Sequence, residues 1–183
     1  MDVPYDEAKF TELVLHVADR LRHDRAGGAT KLNKVLYFAD FAHMRKHGRP
    51  ITGAVYQKLE HGPAPRRLKP VREQLVADGA AEVIHEDFLG YDVHRLVPRR
   101  PADLSLFDAD ELATIDATVA DLEHLVGAQV SELSHDEPWW SLYAEGETVP
   151  YHAALLPRRQ VVTPTARRAA EEVARRYGIV VEP

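Results

Sequence analysis

Asp40, His43 and His47 are the residues whose spacing most resembles a reactive centre. On a helix, positions three and four apart lie on one face, so a carboxylate and two imidazoles there could hold zinc or another divalent ion. The stretch "HMRKH" lacks the glutamate of an HExxH site, because Met44 stands where that general base belongs. Further ligands would have to come from His61 or His135. A metal-dependent enzyme using Asp40, His43 and His47 is therefore one reading of these letters. The other is a pair of histidines near a helix end, with His47 favourably placed against the dipole.

Other chemistry finds less support. The chain has no cysteine, which excludes thiolate nucleophiles, disulfides and Cys-based zinc sites. It contains no GxSxG elbow. Ser134, His135 and Asp136 spell a triad as letters, but triad members converge from separate segments. "GGATKLNK" at 27–34 has glycines before a helix and then a lysine, without the GxxxxGK[ST] spacing of a phosphate loop, and reads as a plain loop. With no catalytic constellation in view, the expectation is a protein that is not an enzyme and needs no cofactor. The densest remaining stretch is "SHDEPWWSLY", which holds both tryptophans, Trp139 and Trp140. Adjacent tryptophans on a helix cannot both enter one core. One is expected to pack inward, leaving the other as an anchor for a partner or part of a plug over the core.

The elements that must position these residues follow from periodicity. Phe10, Leu13, Val14, Val17 and Leu21 mark a helix over about residues 6–23. Thr30 is the expected N-cap of a second helix reaching about His47, apolar over most of its circumference and hence central. Gly48 and Pro50 end it. "AVYQKLE" alternates like a short strand, and "HGPAP" is expected to kink the chain. A third helix is expected over about residues 65–78, with Leu68, Val71, Leu75 and Val76 inward. "AEVIHE" and "YDVHRLV" alternate with period two across "DFLG", a β-hairpin. Asp108 with Glu111 makes a capping-box start to an amphipathic helix running to about Val126. "AQVSELSH" gives a shorter helix, and Thr163 and Pro164 open a last one ending at Gly178. The expected fold is α+β, mainly α: a single helical domain with a small β-hairpin and a winged-helix-like strand–helix–hairpin element.

Charge is distributed unevenly. Residues 1–100 hold 17 Lys and Arg against 14 Asp and Glu, whereas residues 101–150 hold 12 Asp and Glu and no basic residue. The net charge is −6. Such an acidic stretch is poorly suited to nucleic acid and better suited to a basic partner or a solvated helix face. "PRRLKPVR" and the arginines of the last helix keep open a winged-helix-like DNA-binding regulator, although nucleic acid is the less expected ligand. The paired carboxylates of the acidic stretch are expected to face water. The polar N-terminus lacks the pattern of a signal peptide, and no apolar run approaches membrane-spanning length. The expectation is a soluble, cytoplasmic protein without a membrane partner.

"KLNKVLYFADF" at 31–41, "GRPITGAVYQKLEHGPAP" at 48–65, "SELSHDEPWW" and "VPYHAALL" together resemble the Panacea domain, the SocA-like, phage-associated antitoxin family. The likeness rests on Lys31, Leu32, Lys34, Tyr37, Phe38 and Asp40, then Gly48, Pro50, Ile51, Thr52 and Gly53, then Tyr56, Gly62, Pro63 and Pro65. Ala64 departs from the valine common in the family. The resemblance spans about residues 5–156, which it implies form a Panacea-like domain, with 157–183 a C-terminal extension. It implies an antitoxin of a toxin–antitoxin system that neutralises a cognate protein toxin by direct binding, or by delivering it to a protease. The family-motif or partner-binding positions are Lys31, Lys34, Tyr37, Asp40, Thr52, Tyr56, His61, Gly62, Pro63, His135, Trp139 and Trp140. Lys31, Lys34, Tyr37 and Asp40 either pair internally with the His61–Pro65 corner or line the partner surface. Internal pairing is favoured, since the same letters serve against diverse toxins only if they hold the scaffold.

Overall fold

A computed structural model of the chain describes residues 3–88 and 90–157, together with Arg168, Glu172, Val173, Arg175 and Arg176. The helix expected after Thr163 lies outside the described residues as an element. Helix α1 covers Glu7–Arg20, and Asp6 caps it by accepting from the Lys9 N–H at 2.9 Å. Helix α2, Ala29–His47, is the longest described helix and packs against α1, the later helices and both β-elements. Its N-cap is Gly28 rather than Thr30. Val93 fills the space where a Cβ of residue 28 would stand, so this cap position admits only glycine. Gly48 closes α2 in the left-handed conformation, φ 74°, with its N–H on the Met44 carbonyl.

Strand β1, Tyr56–Leu59, pairs antiparallel with β2, Gly62–Pro65, so the "HGPAP" segment is a strand and not merely a kink. Both its prolines are tolerated because β2 lies at the edge of its sheet. Strand β5, Thr148–Val149, brings the distant end of the domain back against Tyr56 and Gln57. Helix α3, Leu68–Ala77, buries Leu68, Val71 and Leu75 but leaves Val76 exposed, contrary to expectation. Strands β3, Ala81–Phe88, and β4, Tyr91–Pro98, form the expected hairpin as a separate two-stranded sheet against α1 and α3. The β2–α3–β3–β4 succession supplies the strand–helix–hairpin order.

Helix α4, Ala109–Leu122, opens with a complete capping box between Asp108 and Glu111. Helix α5, Gly127–His135, begins with a one-sided version, in which the Gln129 side chain accepts from the Val126 N–H at 2.9 Å. The architecture is α+β and mainly α, with α2 through the middle of one core that includes Phe10, Leu13, Leu36, Tyr37, Ile115, Val130 and Trp139. Among the described residues no helix is long and apolar enough to cross a membrane.

The acidic stretch is not simply a solvated face. Glu111 is only 2% exposed and is clasped by Lys9 Nζ at 2.8 and 2.9 Å. Asp116 pairs with Arg20, Asp108 with Arg49 at 2.7 Å, and buried Glu137 with Arg45 at 3.1 Å. The cations come from α1, α2 and the turn after α2, so part of the charge asymmetry is complementarity between two parts of one fold.

Candidate functional site

The motif residues fall into three separate nodes around α2. The first is built on Asp40, which is fully buried. Gly48 turns the chain back so that Ile51 and Thr52 present their backbone N–H groups to Asp40 Oδ1, each at 2.8 Å. The Thr52 hydroxyl donates to Oδ2 at 2.6 Å, and Tyr56 places its hydroxyl 2.8 Å from the same oxygen. Tyr151 adds a hydroxyl at 3.2 Å from a segment 111 residues away. Each tyrosine has a second acceptor, Leu36 O at 2.9 Å for Tyr56 and Ala54 O at 2.8 Å for Tyr151. Burial drives the Asp40 pKa upward and these donors oppose that, with the net direction up. Burial and the adjacent carboxylate raise both tyrosine hydroxyls. Asp40 thus ties the end of α2 to the following turn, to β1 and to the segment after β5.

Tyr37 and Trp139 extend this node. Trp139 is fully buried, and its indole N–H donates to the Tyr37 hydroxyl at 2.8 Å. Tyr37, Phe41, Tyr56 and Tyr151 form a continuous set of tilted and edge-on ring contacts. The inward tryptophan is therefore Trp139, and it meets a motif tyrosine.

The second node is Lys31, also fully buried, on the opposite side of the motif. Its ammonium pairs with Asp24 and donates to the carbonyls of Glu123 at 3.0 Å and Leu125 at 2.7 Å. Three acceptors match its three donors. It joins α2 to the preceding loop and to the α4–α5 connection. The glycine loop beside it is closed around another cation. Arg95 Nη1 donates to Leu21 O at 2.8 Å, and a Cβ at Gly27 would fall 2.6 Å from that carbonyl and 2.8 Å from Arg95. The loop that resembled a phosphate cradle encloses a guanidinium.

The third node gathers Lys34, His61, Gly62, Pro63, His135 and Trp140. Lys34 is 2% exposed, and among the described residues its one hydrogen bond is a 3.3 Å contact to the Pro63 carbonyl. Burial alone lowers its pKa from the ordinary lysine value to about 8. Gly62, at φ 99°, lies directly over it: a Cβ there would collide with both Lys34 Nζ and Ser134 Oγ. His135 stacks on Trp140, ring centroids 4.0 Å apart, and among the described residues its buried Nε2 has no hydrogen-bond partner. Burial lowers the His135 pKa first and the charge of Lys34 next, while Glu132 acts in the opposite direction. Lys58 Nζ lies 4.0 Å from the Trp140 ring centroid and donates to the Trp140 and Tyr143 carbonyls. Trp140 is thus half-buried, with His135 and Lys58 against its ring.

The metal reading loses its carboxylate. Asp40 faces Thr52 and the tyrosines, while His43 places Nδ1 3.1 Å from the Thr114 hydroxyl and stacks on His47 with centroids 4.3 Å apart. Among the described residues no three His, Asp or Glu side chains are grouped to hold a metal ion. Ser134 donates to the Ser131 carbonyl at 2.6 Å, and no triad geometry links it to its sequence neighbours.

Several contributors escape local spacing. Tyr151, Ser134 and Lys58 reach their nodes from other elements and lie inside the quoted stretches without standing out there, whereas Asp24 lies outside them altogether. With these nodes in place, the comparison with known families is decisive: the model described as "Antitoxin SocA-like, Panacea domain" matches residues 32–141. The chain belongs to this family. The matched span contains the bodies of α2 to α5 and every motif residue of the three nodes except Lys31 and Tyr151. No curated protein and no solved structure matches the chain.

Proposed function

We propose that the protein is the antitoxin of a toxin–antitoxin pair and neutralises a cognate protein toxin by direct binding. Membership of the SocA-like antitoxin family carries this reading. The geometry supports a division of labour within it. The motif side chains Lys31, Lys34, Tyr37, Asp40, Thr52, Tyr56 and Trp139 are all buried and join α2 to its surroundings. They hold the frame, and the toxin is recognised by exposed residues carried on it. Residues 5–156 act as the antitoxin domain in the cytoplasm, with 157–183 as an extension.

No enzymatic step is part of this function. Neutralisation by occlusion requires a stable complex, whereas delivery to a protease requires the toxin to be degraded faster in the antitoxin's presence. The test is co-expression with the product of the neighbouring gene. Rescue of growth together with co-purification supports binding. Absence of both rejects it. Toxin lifetime in cells with and without their energy-dependent proteases separates the two routes.

A further inference from the structure

The β3–β4 hairpin carries two residues that the antitoxin reading leaves unused. Its ladder sets His85 directly opposite His94, and the two ring centroids lie 4.2 Å apart with the planes at 52°. Both histidines are exposed. Side chains alternate along a strand, so the pair shares a face with Val83 and Leu96, one register step nearer the base. Leu96 is buried in the core, and beyond it this face emerges into solvent. The next step towards the turn pairs Asp87 with Asp92. The strands are fastened beside the histidines from the other face. Arg95, next to His94, is buried there and donates to Leu21 O at 2.8 Å. The same guanidinium crosses to β3 and donates to the carboxylate of Glu86, next to His85, at 2.8 Å. The backbone under both imidazoles is therefore held before any ligand arrives.

We propose that His85 and His94 form a two-imidazole site for a late transition-metal dication of the Zn²⁺, Ni²⁺ or Cu²⁺ kind. Imidazole nitrogen suits these ions, whereas Mg²⁺ and Ca²⁺ take oxygen ligands. Zinc sits about 2.0–2.1 Å from each imidazole nitrogen, which puts two such nitrogens roughly 3.3 Å apart in a tetrahedral site. Rings with centroids 4.2 Å apart reach that spacing through small rotations of two exposed side chains. Among the described residues no third His, Asp or Glu completes a set, so the remaining positions belong to water and stay open to a further ligand. The bound ion links β3 to β4 on the part of the hairpin that projects past the core. The site does not depend on toxin binding, and each reading stands or falls without the other.

The test titrates ZnCl₂ and NiCl₂ into the full chain by calorimetry, near neutral pH and in a buffer that does not chelate. Saturable binding of one ion per chain is expected for both metals, with no heat from MgCl₂. Binding should weaken as pH falls, because protons compete for the imidazole nitrogens. His85→Ala and His94→Ala should each weaken it by roughly 100-fold or more, since loss of even an outer-shell partner costs about 10–100-fold. Both positions are exposed, so circular dichroism should show the fold retained. His124→Ala, at an exposed histidine on another element, should bind like wild type. In wild type, the ring resonances of His85 and His94 should shift together with Zn²⁺ and broaden with Ni²⁺. Absence of saturable binding, wild-type affinity in both hairpin variants, or an equal loss in His124→Ala would overturn the proposal.

Discussion

Replacing either buried lysine of α2 by methionine removes the same charge from the same helix, and the structure demands opposite outcomes. For Lys34 the folded pKa of about 8 lies well below the ordinary value of 10.5. A base depressed on folding disfavours the folded state wherever both states would be charged, that is below pH 8. The penalty fades as pH rises from about 8 to 10.5, where the unfolded chain still holds the proton that the fold has released. The shift corresponds to roughly 3 kcal/mol, at about 1.4 kcal/mol per unit. Lys34→Met should therefore raise stability by up to about 3 kcal/mol at pH 7 and by close to nothing at pH 10.5, less about 1 kcal/mol for the lost bond to Pro63. Lys31→Met leaves Asp24 and two carbonyls without their donor and should cost about 3–5 kcal/mol. Urea unfolding of the three proteins in chloride buffer, at pH 7 and repeated towards pH 10, measures both effects, provided m is unchanged. If Lys34→Met destabilises as much as Lys31→Met, the argument from an unmatched buried charge is refuted.

Asp40→Ala should cost about 3–5 kcal/mol in the same assay, because the Ile51 and Thr52 N–H groups lose their acceptor, whereas Asp40→Asn should cost only about 1–2 kcal/mol since both tyrosines have another acceptor. The folded Asp40 pKa is raised, so wild type gains relative to Asp40→Asn as pH falls through that pKa; a constant difference across the acid range would contradict the assigned direction. Gly62→Ala combines an unfavourable φ with collision against Lys34 and Ser134, and about 2–4 kcal/mol is expected. Gly48→Ala, with φ 74° and open space, should lose only about 1 kcal/mol, so equal losses measured by thermal unfolding would remove the close-approach argument. Trp139→Phe deletes the bond to Tyr37 and should lower stability by about 1–3 kcal/mol, read by urea unfolding, with toxin binding retained if Trp139 belongs to the frame.

The helices were legible wherever a local period or cap spoke for itself. The apolar face of α1 and the Asp108–Glu111 box are contained within a few residues, and both appear as expected. The centrality of α2 followed from its lack of a polar face. What local patterns could not carry was pairing at a distance. Glu111 looks like one more surface carboxylate until Lys9, 102 positions away, is placed against it. Asp40 and Tyr151 have no sequence relation at all. That the cap of α2 must be a glycine is set by Val93 on β4, which is 65 positions away in sequence. Two prolines in four residues argue against a strand unless the edge position of that strand is already known. For the motif, the family likeness named the right letters, but only the distances separated a saturated lysine from an unmatched one.

The ion pairs that cross from α1 and α2 to α4 and the segment after α5 have a consequence for assembly of the chain from pieces. Lys9, Arg20, Arg45 and Arg49 lie before the exposed Arg99–Arg100–Pro101 junction, and Glu111, Asp116, Glu137 and Asp108 lie after it. Fragments cut at that junction would carry opposite charge, so attraction would steer them together at low salt and weaken as salt rises. Each fragment would also bring half of the Tyr37–Trp139 contact and one side of the β1–β5 pairing. The same fold that serves as a single frame is, in electrostatic terms, a split protein whose halves are already addressed to one another.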